Sequence, residues 1–261
     1  MTEWMIIGAI LLFAVPGTLF YLLQHRLVFA PRYYPDRSLF LEHSLCYRLQ
    51  KLYVAPGVTL EGIVYEPEGL ATATLLYFGG KKQDSVALAG TFSARFPNVR
   101  FVAFNYRGYG TSGGRPSHDT LGGDALKVYK WVESHYGKPG LMGYSLGAFV
   151  AASLASAVQP RWVVLVGAFA SVELLIRERI AVMPRVLIRR KYDTRECVSA
   201  VTAPLYLYAS RDDNVVPVAH ALKLKASAPN LAGYKEFSGY NHDDLLFSEE
   251  LLDELTKVFA T

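Results

Sequence analysis

The chain has 261 residues, with 27 Lys and Arg against 23 Asp and Glu, a formal charge of +4. That length can bury a sizeable core in one or two domains, and 51% apolar with 13% aromatic residues excludes a disordered chain. A mild charge without a long basic run gives no support to nucleic-acid binding. Two cysteines, Cys46 and Cys197, exclude a disulfide-dense scaffold and a structural zinc site of the usual Cys/His kind. They read as two free thiols rather than one bridge.

From Trp4 to Leu23 there is no charged residue. Twenty residues at ~1.5 Å each span roughly 30 Å, the thickness of a bilayer's hydrocarbon core. Pro16-Gly17 inside the run is a kink that a membrane helix tolerates, and Trp4 and Tyr21 stand near its ends, where aromatic rings favour the interface. Glu3 is the only charged side chain ahead of the run and no small-x-small cleavage site follows. The expectation is an uncleaved transmembrane anchor over residues 1–24, rather than a signal peptide or a buried core helix. His25, Arg26, Arg32 and Arg37 follow it, so the positive-inside rule puts the rest of the chain in the cytoplasm. Residues 25–50 read as a juxtamembrane linker and 51–261 as one domain.

In that domain strands and helices alternate. Lys51–Val54 and Leu60–Tyr65 are an opening pair of strands around the turn Ala55-Pro56-Gly57. Ala73–Phe78 is an apolar run ending at Gly79-Gly80, as suits a buried strand. Helices are predicted over Asp84–Arg95, Asp119–His135, Leu146–Val158, Val218–Ala228 and Ser248–Phe259. Asp84 and Ser248 are read as N-caps. Strands are predicted over Arg100–Phe104, Gly140–Gly143, Arg161–Val166, Leu205–Ala209 and Ala232–Phe237. This order implies an α/β fold, a mostly parallel sheet with helices on both faces. Residues 169–200 break the rhythm. They interleave Arg177, Arg179, Arg185, Arg189, Arg190 and Lys191 with Leu, Ile and Val. They read as a short helical cap, with contact to anionic lipid or a merely solvated cover as the other readings.

Gly143-Tyr144-Ser145-Leu146-Gly147 lies between a predicted strand and a predicted helix. A Gly-x-Ser-x-Gly is weak on its own. Here the tight turn lifts Ser145 above the sheet end at a helix N-terminus, where the dipole favours an oxyanion. A serine hydroxyl needs a base to take its proton. Of six histidines, His25 and His43 precede the core, His118 and His135 flank a helix and read as surface residues, and His220 lies on a helix. His242, in Gly239-Tyr240-Asn241-His242-Asp243-Asp244 after the last strand, can reach Ser145 from a loop. The base needs an acid. Asp212 and Asp213 both leave the end of the Leu205–Ala209 strand, and Asp213 is preferred, with Asp212 an exposed turn residue. An oxyanion hole needs two amides. Leu146 supplies one and Lys81 the other, with Gly79 and Gly80 letting that loop approach closely. Arg107, among glycines, either binds a substrate carboxylate or ties its loop down, and the second reading is favoured.

From about Tyr53 onward the chain resembles the α/β-hydrolase superfamily, and within it the membrane-anchored, depalmitoylase-like hydrolases and their bacterial relatives. Tyr77-Phe78-Gly79-Gly80 is similar to the family's oxyanion loop. Residues Asn105–Ser117 are nearly its Tyr-Arg-Gly-Tyr-Gly-x-Ser-x-Gly-x-Pro-Ser segment. Asp213–Pro217 resembles its acid segment, Asn241-His242-Asp243 its histidine turn, and Arg26–Pro31 the stretch after its anchor. Lys81-Lys82 stand where the family usually has Asn-Ala. Backbone donation from Lys81 survives that change, and two cations there suit an anionic acyl or phospholipid-like substrate, or simply a solvated loop. The order Ser145, Asp213, His242 is that of an α/β-hydrolase sheet. The resemblance implies a membrane-anchored serine hydrolase of esters or thioesters, using no metal or cofactor, with membrane lipid met through its N-terminal helix. A serine peptidase of short peptides, or a catalytically silent binding protein on this fold, are the alternatives.

Overall fold

The computed structural model describes residues 15, 17–24, 26, 28–31, 46–181, 183–188 and 192–261. An eight-stranded sheet is built from β1 Tyr47–Ala55, β2 Val58–Tyr65, β3 Ala73–Phe78, β4 Val99–Phe104, β5 Gly140–Tyr144, β6 Val163–Val166, β7 Leu205–Ser210 and β8 Leu231–Phe237. Its spatial order is β1-β2-β4-β3-β5-β6-β7-β8. The hairpin β1–β2 is antiparallel, and β2 runs antiparallel to β4. Every pairing from β4 to β8 is parallel. All parallel strands therefore end at one edge, the edge where open α/β sheets bind ligands.

The helices are α1 Ser85–Arg95, α2 His118–Tyr136, α3 Leu146–Ala155, α4 Val172–Arg179, α5 Thr194–Ser199, α6 Ala219–Ser227, α7 His242–Leu245 and α8 Glu249–Phe259. All six residues of β3 are buried, and alternation divides them between two cores. Leu76 and Phe78 join Leu121, Val128 and Val132 of α2 and Ala151 of α3. Leu75 and Tyr77 join Phe92 of α1 and Leu255 and Phe259 of α8. A sheet apolar on both faces needs both covers. On the second face Trp162 fills the space above Gly140, where a β-carbon would lie 2.3 Å from the indole, and stacks on Phe259 at 5.1 Å.

Local signals start the helices where the sequence predicts. The Asp84 carboxylate accepts from the Ala87 N–H at 3.2 Å, and Ser248 caps α8 through the Leu251 N–H. Ser117 and Thr120 form a reciprocal capping box on α2. α8 buries Leu251, Leu252, Leu255, Val258 and Phe259 along one face.

Two differences from the sequence reading stand out. β1 begins at Tyr47, inside the segment read as linker, because it is half exposed and its pattern is diluted by polar side chains. A one-turn helix, α7, carries His242 where a loop was expected. Cys46 and Cys197 are both free thiols, as the sequence reading expects. The insertion is closed at its base by a bridge between Ser171 and Asp193 and holds α4, a turn at Arg185–Leu187 and α5. Arg189, Arg190 and Lys191 lie outside the described residues.

Of the anchor expected over residues 4–23, positions 4–14 and 16 lie outside the described residues, as do 32–45 of the linker. Residues 17–24 are helical. Among the described residues no helix is long and apolar enough to cross a membrane. The segment just beyond is docked on the domain. Phe29 is buried in the first core, and the Ala30 N–H donates to the Lys81 carbonyl at 3.2 Å.

Candidate active site

The turn between β5 and α3 is possible only with glycine on both sides of the serine. A β-carbon on Gly143 would sit 2.1 Å from the Gly147 carbonyl oxygen, and one on Gly147 would sit 1.9 Å from that of Phe78. Ser145 between them has φ 54° and ψ −114°. Among the described residues other than glycine, only Tyr192 shares a positive φ. Such a conformation costs about 1–3 kcal/mol and must be held by its surroundings. The holding contact is the Ser145 N–H, which donates to the Val166 carbonyl of β6 at 3.0 Å.

Asp213 and His242 come from loops beyond β7 and β8 and meet in a buried pair. One oxygen of Asp213 accepts from the Val215 and Val216 N–H groups at 2.8 and 2.7 Å. The other faces His242 Nδ1 at 2.6 Å. A carboxylate only accepts, so the ring presents Nδ1–H to it, and the neutral imidazole keeps its lone pair on Nε2. That Nε2 is buried without a hydrogen-bond partner among the described residues. The turn is shaped by Asn241, whose side chain accepts from the Asp243 and Asp244 N–H groups at 3.0 and 3.1 Å. Gly167, with φ +57°, lets the backbone pass under the ring, where a β-carbon would stand 3.1 Å from His242 Cε1. Asp212 points elsewhere, accepting from the Gly239 N–H at 2.6 Å, and so ties the two loops together from outside.

Tyr144, next to the serine, was not singled out from sequence. Its ring lies against the His242 imidazole with centroids 5.0 Å apart. Its hydroxyl donates to the His242 carbonyl at 2.9 Å and contacts an Asp243 carboxylate oxygen at 3.1 Å. The serine turn and the histidine turn are thus joined through one side chain.

The loop after β3 is pinned by side-chain contacts that the sequence does not show. Gln83 Oε1 accepts from both the Gly80 N–H at 2.8 Å and the Tyr77 hydroxyl at 2.7 Å. The Tyr106 hydroxyl donates to the Gly79 carbonyl at 2.8 Å, and the Tyr109 hydroxyl to the Lys81 carbonyl at 2.7 Å. The segment around Tyr-Arg-Gly-Tyr thereby fixes the loop that carries Lys81. A β-carbon on Gly80 would touch the Tyr144 ring at 3.0 Å and lie 3.5 Å from Ser145 Cβ. The Gly80 amide is engaged by Gln83. Leu146 is the first residue of α3 and so has no intrahelical acceptor for its N–H.

Arg107 makes a two-pronged contact with Asp124 at 2.7 and 2.8 Å, away from the serine. It ties its loop to α2, as the favoured reading had it. His135 is exposed. His118 is edge-on to Tyr192 at 4.8 Å. His220 is fully buried, accepting from the Ala170 N–H at Nδ1 (3.0 Å) and facing Glu178 of α4 at Nε2 (2.7 Å). It latches the cap to the domain, and burial lowers its basicity against the raising effect of Glu178. Among the described residues no group of three or more His, Cys, Asp or Glu side chains converges as a metal site would require.

Above Ser145 lies a cavity of about 200 Å³. Its walls are Leu146, Phe169, Val172, Leu175, Ile176, Ile180, Val215 and Val216, with Phe20 and Val28 contributed by the N-terminal segment. Lys81 and Arg179 supply its charge. Burial, with repulsion from Lys82 and Arg179, lowers the Lys81 ammonium below the ordinary lysine range.

Among solved structures, an esterase of Pyrococcus furiosus matches 88% of this chain and 95% of its own with a TM-score of 0.67 at 19% identity. A hydrolase from Agrobacterium vitis, described as putative, matches 83% and 99% with a TM-score of 0.63 at 17% identity. This is the α/β-hydrolase fold. The same fold accounts for the sheet order. No family model matches the chain. In sequence, an uncharacterized protein of Mycobacterium tuberculosis is 32% identical over 163 residues, 60% of this chain and 58% of that one. The lysophosphatidylserine lipase ABHD12 of Danio rerio is 29% identical over 185 residues, 58% of this chain and 47% of that one. The chain therefore matches about half the length of these curated relatives.

Proposed function

We propose that this α/β-hydrolase-fold protein is a serine hydrolase of acyl esters or thioesters, acting through an acyl-enzyme. The observation that carries the reading is the buried Asp213–His242 pair at 2.6 Å, whose other ring nitrogen is unpartnered. It stands against the neighbour of a serine held at positive φ. In this mechanism Ser145 Oγ attacks the carbonyl carbon while His242 Nε2 takes its proton. Asp213 holds the tautomer and stabilises the imidazolium. The Leu146 and Lys81 amides bind the oxyanion. His242 then protonates the leaving group, and a water activated by the same nitrogen releases the acid.

An acyl substrate is favoured over a peptide by the walls of the cavity, which are aliphatic and aromatic apart from Lys81 and Arg179. The esterase and lipase names among the similar proteins point the same way. The apolar run that begins at residue 4 is proposed to anchor the enzyme, with its last turn around Phe20 lying on the domain and the domain on the cytoplasmic side as the flanking charges predict. The test is turnover of p-nitrophenyl esters and acyl thioesters by detergent-solubilised protein, beside short peptide amides. Ester or thioester hydrolysis that Ser145→Ala abolishes is expected. Peptide cleavage alone would move the assignment to a peptidase, and no turnover by folded protein would move it to a silent binding protein.

A further inference from the structure

A second cavity, of about 190 Å³, lies beside the catalytic one. The two share three lining residues, Val28, Val172 and Ile176. Val172 and Ile176 are one turn apart on the cap helix α4 and so stand on one face of it. Val28 comes from the N-terminal segment. Beyond them the second cavity continues past Tyr21, Leu22 and Tyr192 to a polar end at Ser117 and Asp119.

We propose that Val28, Val172 and Ile176 are a wall that sets the acyl-chain length this enzyme accepts, and that the second cavity is the space a longer chain would occupy. This rests on the acyl-hydrolase reading above. The first cavity holds the nucleophile, and these aliphatic side chains line it on the side shared with the second. The backbones behind them are tied independently. The N-terminal segment is held by the Ala30 N–H on the Lys81 carbonyl and by Gln24, which donates to the Leu187 carbonyl at 3.1 Å. Helix α4 is held by the Ser171 cap and by Glu178 on His220. Side-chain bulk, not backbone position, therefore fixes the thickness of the wall. The N-terminal segment becomes part of the substrate site through Val28 and Phe20.

The experiment is a chain-length profile of kcat/KM on p-nitrophenyl esters from acetyl to palmitoyl, with the full chain in detergent. It compares wild type with Ile176→Ala, Val28→Ala and Ile176→Phe. Fluorophosphonate labelling of each variant reports whether its nucleophile is still assembled. The two alanine variants are expected to move the optimum to longer chains. Each newly housed methylene raises kcat/KM roughly fourfold, the worth of a buried methylene at about 0.8 kcal/mol. Ile176→Phe is expected to move the optimum to shorter chains. Two alanine substitutions on different segments keep the test open if one of them misfolds. Variants that label and turn over with an unmoved optimum overturn the wall alone. A wild type that neither labels nor hydrolyses any ester overturns the hydrolase reading, and the wall with it.

Discussion

Replacing Tyr144 with phenylalanine removes one oxygen and leaves the ring against His242. The hydroxyl serves two acceptors, the His242 carbonyl at 2.9 Å and an Asp243 oxygen at 3.1 Å. Asp243 is exposed and recovers its hydration when the hydroxyl goes. The His242 carbonyl meets the hydroxyl at a buried position and does not. The net loss is then that of one ordinary hydrogen bond, about 1 kcal/mol, which in a domain of this size lowers Tm by about 2–4 °C. The kinetic cost is larger, because the bond fixes the turn that carries the general base. Displacing a reacting group by about 1 Å costs about a hundredfold. With Asn241 and Asp213 still holding the turn, part of that is retained, and kcat should fall about tenfold. KM should stay within about twofold, since Tyr144 is not among the residues lining the cavity. Thermal melting and steady-state kinetics on one soluble ester measure both. A lowered Tm with unchanged kcat would make the hydroxyl purely structural, and the link between serine turn and histidine turn would have to be given up.

Asp213→Asn keeps an acceptor for the Val215 and Val216 amides but can offer an N–H to His242 Nδ1. The wrong tautomer then faces the serine, and kcat should fall about 10⁴-fold, as in other triads; a loss under tenfold in a folded variant would remove Asp213 from the mechanism. Arg107→Ala strips the two-pronged partner from Asp124 and should cost about 2 kcal/mol in denaturant unfolding, with Arg107→Lys restoring only part because it cannot make both bonds. The kcat per folded molecule should not change, and a raised KM for carboxylate-bearing esters alone would instead make Arg107 a substrate ligand. His220 is harder to protonate in the folded protein than in the unfolded chain, because burial outweighs Glu178. The unfolded state then binds the extra proton, so the stability this ring contributes is full above pH 6.5 and is lost as pH falls below it. Tm should decline as pH falls below 6.5 and decline less in His220→Gln; equal slopes would show that other groups carry the effect.

The parts of the site closest in sequence were the parts a sequence could show. Gly143 and Gly147 are required by contacts within five residues and by one neighbouring strand end, so the serine turn is written locally. Asp213 and His242 stand out in the sequence by their places after the last strands, and the fold brings Asp213, not Asp212, against the His242 ring. What was not legible depends on distant partners. His220 is read as an ordinary helical residue until Glu178, 42 positions away, is folded over it. Tyr77, Tyr106 and Tyr109 stand in segments the sequence does mark, but their hydroxyl partners, the Gln83 side chain and the Gly79 and Lys81 carbonyls, are set only by the fold. Asn241 beside Asp243 and Asp244 did carry a capping signal for α7, but one turn of helix leaves no periodicity to find. Hydropathy alone pointed Phe20 and Val28 toward a membrane or a linker, and gave no hint that they line the cavity above Ser145.

The most direct measurement is labelling of the full, detergent-solubilised chain with a fluorophosphonate, followed by peptide mass mapping, beside Ser145→Ala and His242→Ala. A single phosphonylated residue at Ser145, lost in the first variant and strongly slowed in the second, is the expected result. Folded wild-type protein that stays unlabelled, or label that falls elsewhere and survives both substitutions, would contradict an activated serine at the β5–α3 turn.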